Sequence, residues 1–88
     1  GRVAQAVGNS MKKLSRFHQV IAITHLPQIA GLADTHFVVE KIEANKRSTT
    51  RMRKLSVEER VVEVAKLMSG SEITESGRKS AKELMGLK

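Results

Sequence analysis

The sequence contains no cysteine, no tryptophan and no tyrosine, and has only two phenylalanines, Phe17 and Phe37. Without cysteine there is no disulfide framework and no thiolate metal ligand. That usage suits a reducing cytoplasm. The near absence of aromatic rings removes the stacking platform on which single-stranded nucleic acid is held. It also leaves Val, Ile, Leu, Ala and Met to build any core. No apolar stretch approaches the ~20 residues of a membrane span. The first residues lack the apolar centre of a signal peptide. The chain opens at Gly1 rather than at a methionine, as a piece of a longer protein would.

Acidic residues are scarce too. Nine Asp and Glu face sixteen Lys and Arg, a net charge of +7 on 88 residues. A chain of this length is one domain or part of one, and buries only ~60–65% of the surface its unfolded form exposes. A composition that is 40% hydrophobic allows a small core. The basic balance suits an anionic partner such as nucleic acid, acidic protein or anionic lipid. It equally suits a solvated surface whose acidic complement lies on another part of the molecule.

The apolar pattern gives the organisation. Val3, Val7, Met11, Leu14 and Phe17 recur at helical spacing and predict a helix over 2–17. Lys12, Lys13 and Arg16 sit late in it, where cations favour the negative end of the helix dipole. Gly8-Asn9-Ser10 should weaken its middle. Residues 19–24 read as a short strand buried on both faces, because Val20-Ile21-Ala22-Ile23 is a continuous apolar run. A short helix over 26–33 follows, with Pro27 in its first turn and Ile29, Ala30 and Ala33 facing inward. His36 to Ala44 and Ser48 to Leu55 read as an antiparallel hairpin turning at Asn45-Lys46. That register sets Val39 opposite Met52 and Glu40 opposite Arg51. Ser56-Val57-Glu58-Glu59 is a capping box opening a helix to about Met68, with Gly70 as its stop. Val57, Val61, Val64, Ala65 and Met68 line one face of it. Thr74 caps a last helix, with Ile73 as a hydrophobic staple and Ala81, Leu84 and Met85 on its buried side. The methionines at 11, 52, 68 and 85 fall at packing positions. Only one segment reads as a buried parallel strand. Such a strand needs neighbours on both sides, and this chain does not supply them.

One side chain is placed for chemistry. His25 ends the apolar run and opens the Leu26-Pro27 turn, at the edge where open α/β sheets bind ligands. An imidazole there can donate to phosphate oxygens or orient a water, in either protonation state near neutrality. The plainer reading is a turn histidine satisfying local backbone groups. His18 and His36 are less suggestively placed, and the three histidines match no compact zinc pattern, so no metal site is expected. A Gly-rich phosphate loop, paired magnesium-binding acids after an apolar strand, and a G-x-S-x-G elbow are all absent. A complete hydrolytic machinery is therefore not expected of this chain alone. Lys46, Arg47, Arg51, Arg53 and Lys54 form the densest basic cluster, with Arg47, Arg51 and Arg53 sharing one face. They would serve as a phosphate-contacting ribbon, or stand as a solvated hairpin paired with residues such as Glu40.

The stretch Val20-Ile21-Ala22-Ile23-Thr24-His25-Leu26-Pro27-Gln28-Ile29-Ala30, followed by Ala33-Asp34-Thr35-His36-Phe37-Val38-Val39-Glu40-Lys41, resembles the C-terminal part of the RecN family of bacterial DNA repair proteins. That family falls in the SMC-like group of ABC-type ATPases. The likeness continues through Thr50-Arg51-Met52-Arg53-Lys54-Leu55 and Glu58-Glu59-Arg60, and weakens after about Gly70. It reaches back to Gly1-Arg2-Val3-Ala4, which looks like the segment after the family's D-loop.

The resemblance implies an α/β fold: the C-terminal fragment of a P-loop ABC-type ATPase head, with a short buried strand, a β-hairpin and flanking helices. Residues 1–88 would be a single partial domain, 1–44 its H-loop region and 45–88 the return strand and last helices. His25 matches the H-loop histidine that approaches the ATP γ-phosphate. Gly1 and Arg2 would lie near an interface with a second head, as in a homodimer. ATP and Mg²⁺ would be bound mainly by residues outside this chain. Further partners would be the remainder of its own head and, through the full-length protein, DNA, with no membrane. The setting would be DNA double-strand break repair and recombination in the cytoplasm, at the nucleoid. Two rival expectations are a small basic DNA-binding module acting through the hairpin at 46–54, and a protein-interaction module using the last two helices, whose partner would be lost on changing Leu84 and Met85.

Overall fold

The computed structural model describes residues 1–70 and 72–87. The first helix, α1 (Arg2–Leu14), stops three residues before Phe17. Ser15 takes the C-cap position, and its hydroxyl donates to the Lys12 carbonyl at 2.6 Å. The apolar stripe that defines this helix faces outward, with Val3, Val7 and Leu14 all exposed. The packed side runs instead through Ala4, Gly8, Met11 and Ser15, and Gly8 alone is fully buried. A Cβ on Gly8 would stand 2.9 Å from Leu32 Cδ1 and 3.2 Å from the Gln28 carbonyl oxygen. The glycine expected to weaken the helix is thus its contact point with the short helix α2 (Pro27–Ala30).

Between these helices the structure corrects the sequence reading. Residues 19–26 form neither helix nor strand and pair with nothing among the described residues, so no strand forms over 19–24. Ile21 is 83% exposed and Ile23 completely so. The composition of a doubly buried strand is present, but burial requires a flanking strand on each side. The only sheet among the described residues is a two-stranded hairpin. α2 is also shorter than the expected 26–33, since Gly31 and Leu32 continue it only as a turn.

The hairpin forms in the expected register. β1 (Phe37–Ala44) pairs antiparallel with β2 (Arg47–Lys54), setting Val39 opposite Met52 and Glu40 opposite Arg51. Asn45 and Lys46 make the turn with φ of 50° and 63°. Positive φ at both central residues gives the turn whose twist matches the strands. Glycine favours the second position, and a lysine there costs on the order of 1 kcal/mol. No helix packs on the hairpin among the described residues. Its root is held by buried Leu55, whose N–H donates to the His36 carbonyl at 2.9 Å, and by an Arg53–Glu59 ion pair.

The capping box is complete in α3 (Val57–Ser69): Glu59 N–H donates to Ser56 Oγ at 3.2 Å, and Ser56 N–H to Glu59 Oε1 at 3.0 Å. Gly70 closes this helix at φ 84°. Thr74 caps α4 (Glu75–Leu84) by accepting from Gly77 N–H at 3.0 Å. Val61, Val64 and Ala65 from α3, Ala81 from α4 and Ala30 from α2 form the core, with Ile73, Leu84 and Met85 packed against it. Burying one valine such as Val64 fully contributes about 1.5–3 kcal/mol. Val57 and Met68, expected on the packed face of α3, are exposed, and so is Met52. Met11 and Met85 are half-buried, as packing positions should be. Leu84 and Met85 are partly buried and pack against the core, as expected of the inward side of the last helix.

Candidate functional site

His25 sits where the irregular segment 19–26 meets α2. Thr24 Oγ1 accepts from Leu26 N–H at 3.0 Å, a hydrogen bond that spans the imidazole-bearing residue. Leu26 is the N-cap in extended conformation, and Pro27 occupies the first helical position, where its missing N–H is no loss. The Leu26 carbonyl then accepts from Ile29 and Ala30 N–H at 3.1 and 3.0 Å. The histidine side chain is exposed, and so are Ile21 and Ile23 before it.

The short helix that follows this histidine is well packed for its length. α2 touches each of the other three helices. Gly8 admits α1, and Ala30 joins the core. Gly31 lets Leu84 of α4 close in, since a Cβ there would lie 3.2 Å from Leu84 Cγ and 3.0 Å from the Pro27 carbonyl. Two cations hold the loop that leaves α2. Arg60 Nη2 donates to the Ala33 carbonyl at 2.6 Å, and Lys12 pairs with Asp34. The hydrogen bond from Lys12 holds the Asp34 carboxyl below its usual range. His36 ends this loop half-buried, with Nδ1 out of solvent and unbonded. Burial, reinforced by the Arg60 charge, pushes its pKa below 6.5 and favours the neutral ring.

The other expected site residues lie elsewhere. Gly1 and Arg2 open α1 and are exposed, roughly 10 Å along the helix axis from Gly8. The basic hairpin face separates into two parts. Glu40 accepts from Arg51 at 3.1 Å and from Arg53 at 3.1 and 3.3 Å, and Arg53 also reaches Glu59. These guanidinium hydrogen bonds hold the Glu40 carboxyl below its ordinary range, Arg51 contributing most. Arg53 is therefore committed to the fold. Arg47, at the tip, is exposed and takes part in no ion pair among the described residues. The reading as a hairpin paired through Glu40 holds for Arg51 and Arg53 but not for Arg47. The clamp from Arg60 and Lys12 went unread in the sequence, because it joins residues 27 and 22 positions apart. Its only signal was the placement of both cations on helix faces flanking the His25 segment.

No family model matches the chain. Individual proteins do. The DNA repair protein RecN of Halalkalibacterium halodurans is 46% identical over 87 residues, which is 99% of this chain. The chain is RecN-like along almost its whole length. The RecN of Bacillus subtilis is 45% identical over 85 residues, and that of Mycobacterium leprae 41% identical over 85. The likeness drawn from the Thr24–Gln28 core and the Asp34–Lys41 stretch therefore extends to both ends of the sequence. The chain spans about 15% of the length of the RecN relatives it matches. Among the described residues, no helix is long and apolar enough to cross a membrane.

Proposed function

We propose that this chain is the C-terminal portion of an ATPase head in a RecN-type protein of DNA double-strand break repair and recombination. Its task is to present His25 to the γ-phosphate of ATP bound mainly by the rest of that head. The observation that carries this reading is an exposed imidazole just before α2, at the end of an apolar segment with no sheet partner among the described residues. A segment of that composition completes a sheet when strands flank it, and its end then lies at the sheet's edge. A hydrogen-bond donor held there stabilises charge on the transferring phosphoryl group. Mg²⁺ and the remaining phosphate contacts belong to residues outside this chain. A second head, meeting the first near Gly1 and Arg2, closes the site, and the full-length protein acts on DNA in the cytoplasm.

The test is His25→Ala in the full-length protein. ATP should still bind, while turnover falls by well over tenfold, a rise of ~1.4 kcal/mol or more in the barrier. Unchanged turnover refutes the role of His25.

A further inference from the structure

The tip of the hairpin is one of the basic surfaces that the fold leaves free among the described residues, alongside Lys13 and Arg16 near the end of α1 and Arg78, Lys79 and Lys82 on α4. Lys46 and Arg47 enter no ion pair among the described residues, whereas Arg51 and Arg53 are occupied by Glu40 and Glu59. The seven residues Asn45-Lys46-Arg47-Ser48-Thr49-Thr50-Arg51 include no apolar side chain, and all are exposed. The hairpin projects, since no helix packs on it among the described residues. Lys46 also holds φ at 63°, a conformation in which glycine is favoured. Strain of this kind in a folded protein points to a use for the side chain that keeps it.

We infer that this tip is a contact for the phosphate backbone of duplex DNA, with Lys46 and Arg47 as its cations. The inference rests on the DNA-repair reading above and names the surface that serves it. Cations flanked by Asn, Ser and Thr supply the charge and the hydrogen-bond donors that phosphate oxygens take up. A two-stranded ribbon also has the width of the major groove. A protein interface would need aromatic or aliphatic anchors at its centre, and a membrane surface an apolar face to insert; the tip has neither.

The experiment measures binding of the full-length protein to a short blunt duplex across a salt series. Lys46→Gly removes the charge while giving the turn its favoured residue. It should melt no lower than the parent and hydrolyse ATP without DNA at the parent rate. Its DNA affinity should fall, and the slope of log K against log salt should shrink by about 0.9. Adding Arg47→Gln should double that loss of slope. Lys79→Gln, a distant exposed cation on α4, should leave the slope in place. Equal slopes for parent and tip variants overturn the contact while leaving DNA binding by the protein intact. A parent that binds no duplex overturns the contact and the DNA-repair reading together. A Lys79→Gln effect as large as that of Lys46→Gly overturns it in favour of net charge alone. Loss of binding to phosphatidylserine vesicles, with DNA binding unchanged, overturns it in favour of a membrane surface.

Discussion

Gly8 is the residue whose meaning changes most between sequence and structure. A glycine inside a helix costs about 1 kcal/mol relative to alanine, so helix propensity alone favours Gly8→Ala. The structure reverses the sign. The new Cβ would press on Leu32 Cδ1 at 2.9 Å, which can move, and on the Gln28 carbonyl at 3.2 Å, which cannot without shifting α2. Overpacking of that kind costs about 1–3 kcal/mol, more than the propensity gain. Gly8→Ala is therefore expected to lower stability by about 1 kcal/mol, read as a reduced denaturation midpoint at unchanged slope. A rise in the midpoint would show that α1 does not close on α2 through this residue.

The root of the hairpin and the start of α3 form one electrostatic element. Glu59 accepts from the Ser56 backbone and from Arg53, and Arg53 also binds Glu40. The backbone hydrogen bond from Ser56 and the Arg53 guanidinium hold Glu59 below its ordinary value of 4.5, and Arg51 and Arg53 do the same for Glu40. A carboxylate with a lowered folded-state pKa binds fewer protons when folded than when unfolded. Its stabilisation is complete above pH 4.5 and is lost as pH falls through the lowered values. Thermal melts should drop in temperature below pH 4.5, and Glu40→Gln should make that drop shallower while lowering the melt at neutral pH. Parallel curves for parent and variant would mean that Glu40 is not the tie between the strands. The cap is legible from spacing alone, because Ser56 and Glu59 are one helical turn apart. The Glu40–Arg51 pair follows from the turn position, which fixes the register.

The molecule as a whole has a small core and a large apolar exterior. Five buried residues, all Ala or Val, make the core cluster, while Val3, Val7, Phe17, Ile21, Ile23, Phe37, Val39 and Met52 face solvent. Apolar side chains exposed on this scale favour association with other apolar surfaces. Ile21 and Ile23 contribute little to the fold of the chain itself, since both are exposed. Ile21→Asp with Ile23→Asp is thus expected to leave the melting temperature of the isolated 88-residue chain unchanged and to reduce its self-association. In the full-length protein the same pair should prevent assembly of an ATP-binding head. Light scattering and a thermal melt of the chain check the first expectation, and ATP binding by the full-length variant checks the second. A large fall in the chain's own melting temperature would show that the segment is packed within it.

Local chemistry settled what is local. The caps at Ser56 and Thr74, the turn at Asn45-Lys46, the register that follows from it and the placement of His25 beside Pro27 each depend on residues within a few positions or on a single turn. Burial is not local. The stripe of α1 and the run Val20–Ile23 carry the apolar pattern of packed elements, yet neither joins this chain's own core cluster. Only the tertiary structure decided that Gly8 rather than Val7 meets α2, that Arg60 and Lys12 hold the loop behind His25, and that Arg53 is bound while Lys46 and Arg47 have no ion pair among the described residues. An apolar pattern states what a residue prefers to touch; which surface reaches it depends on how distant elements approach one another, and no short window of sequence contains that.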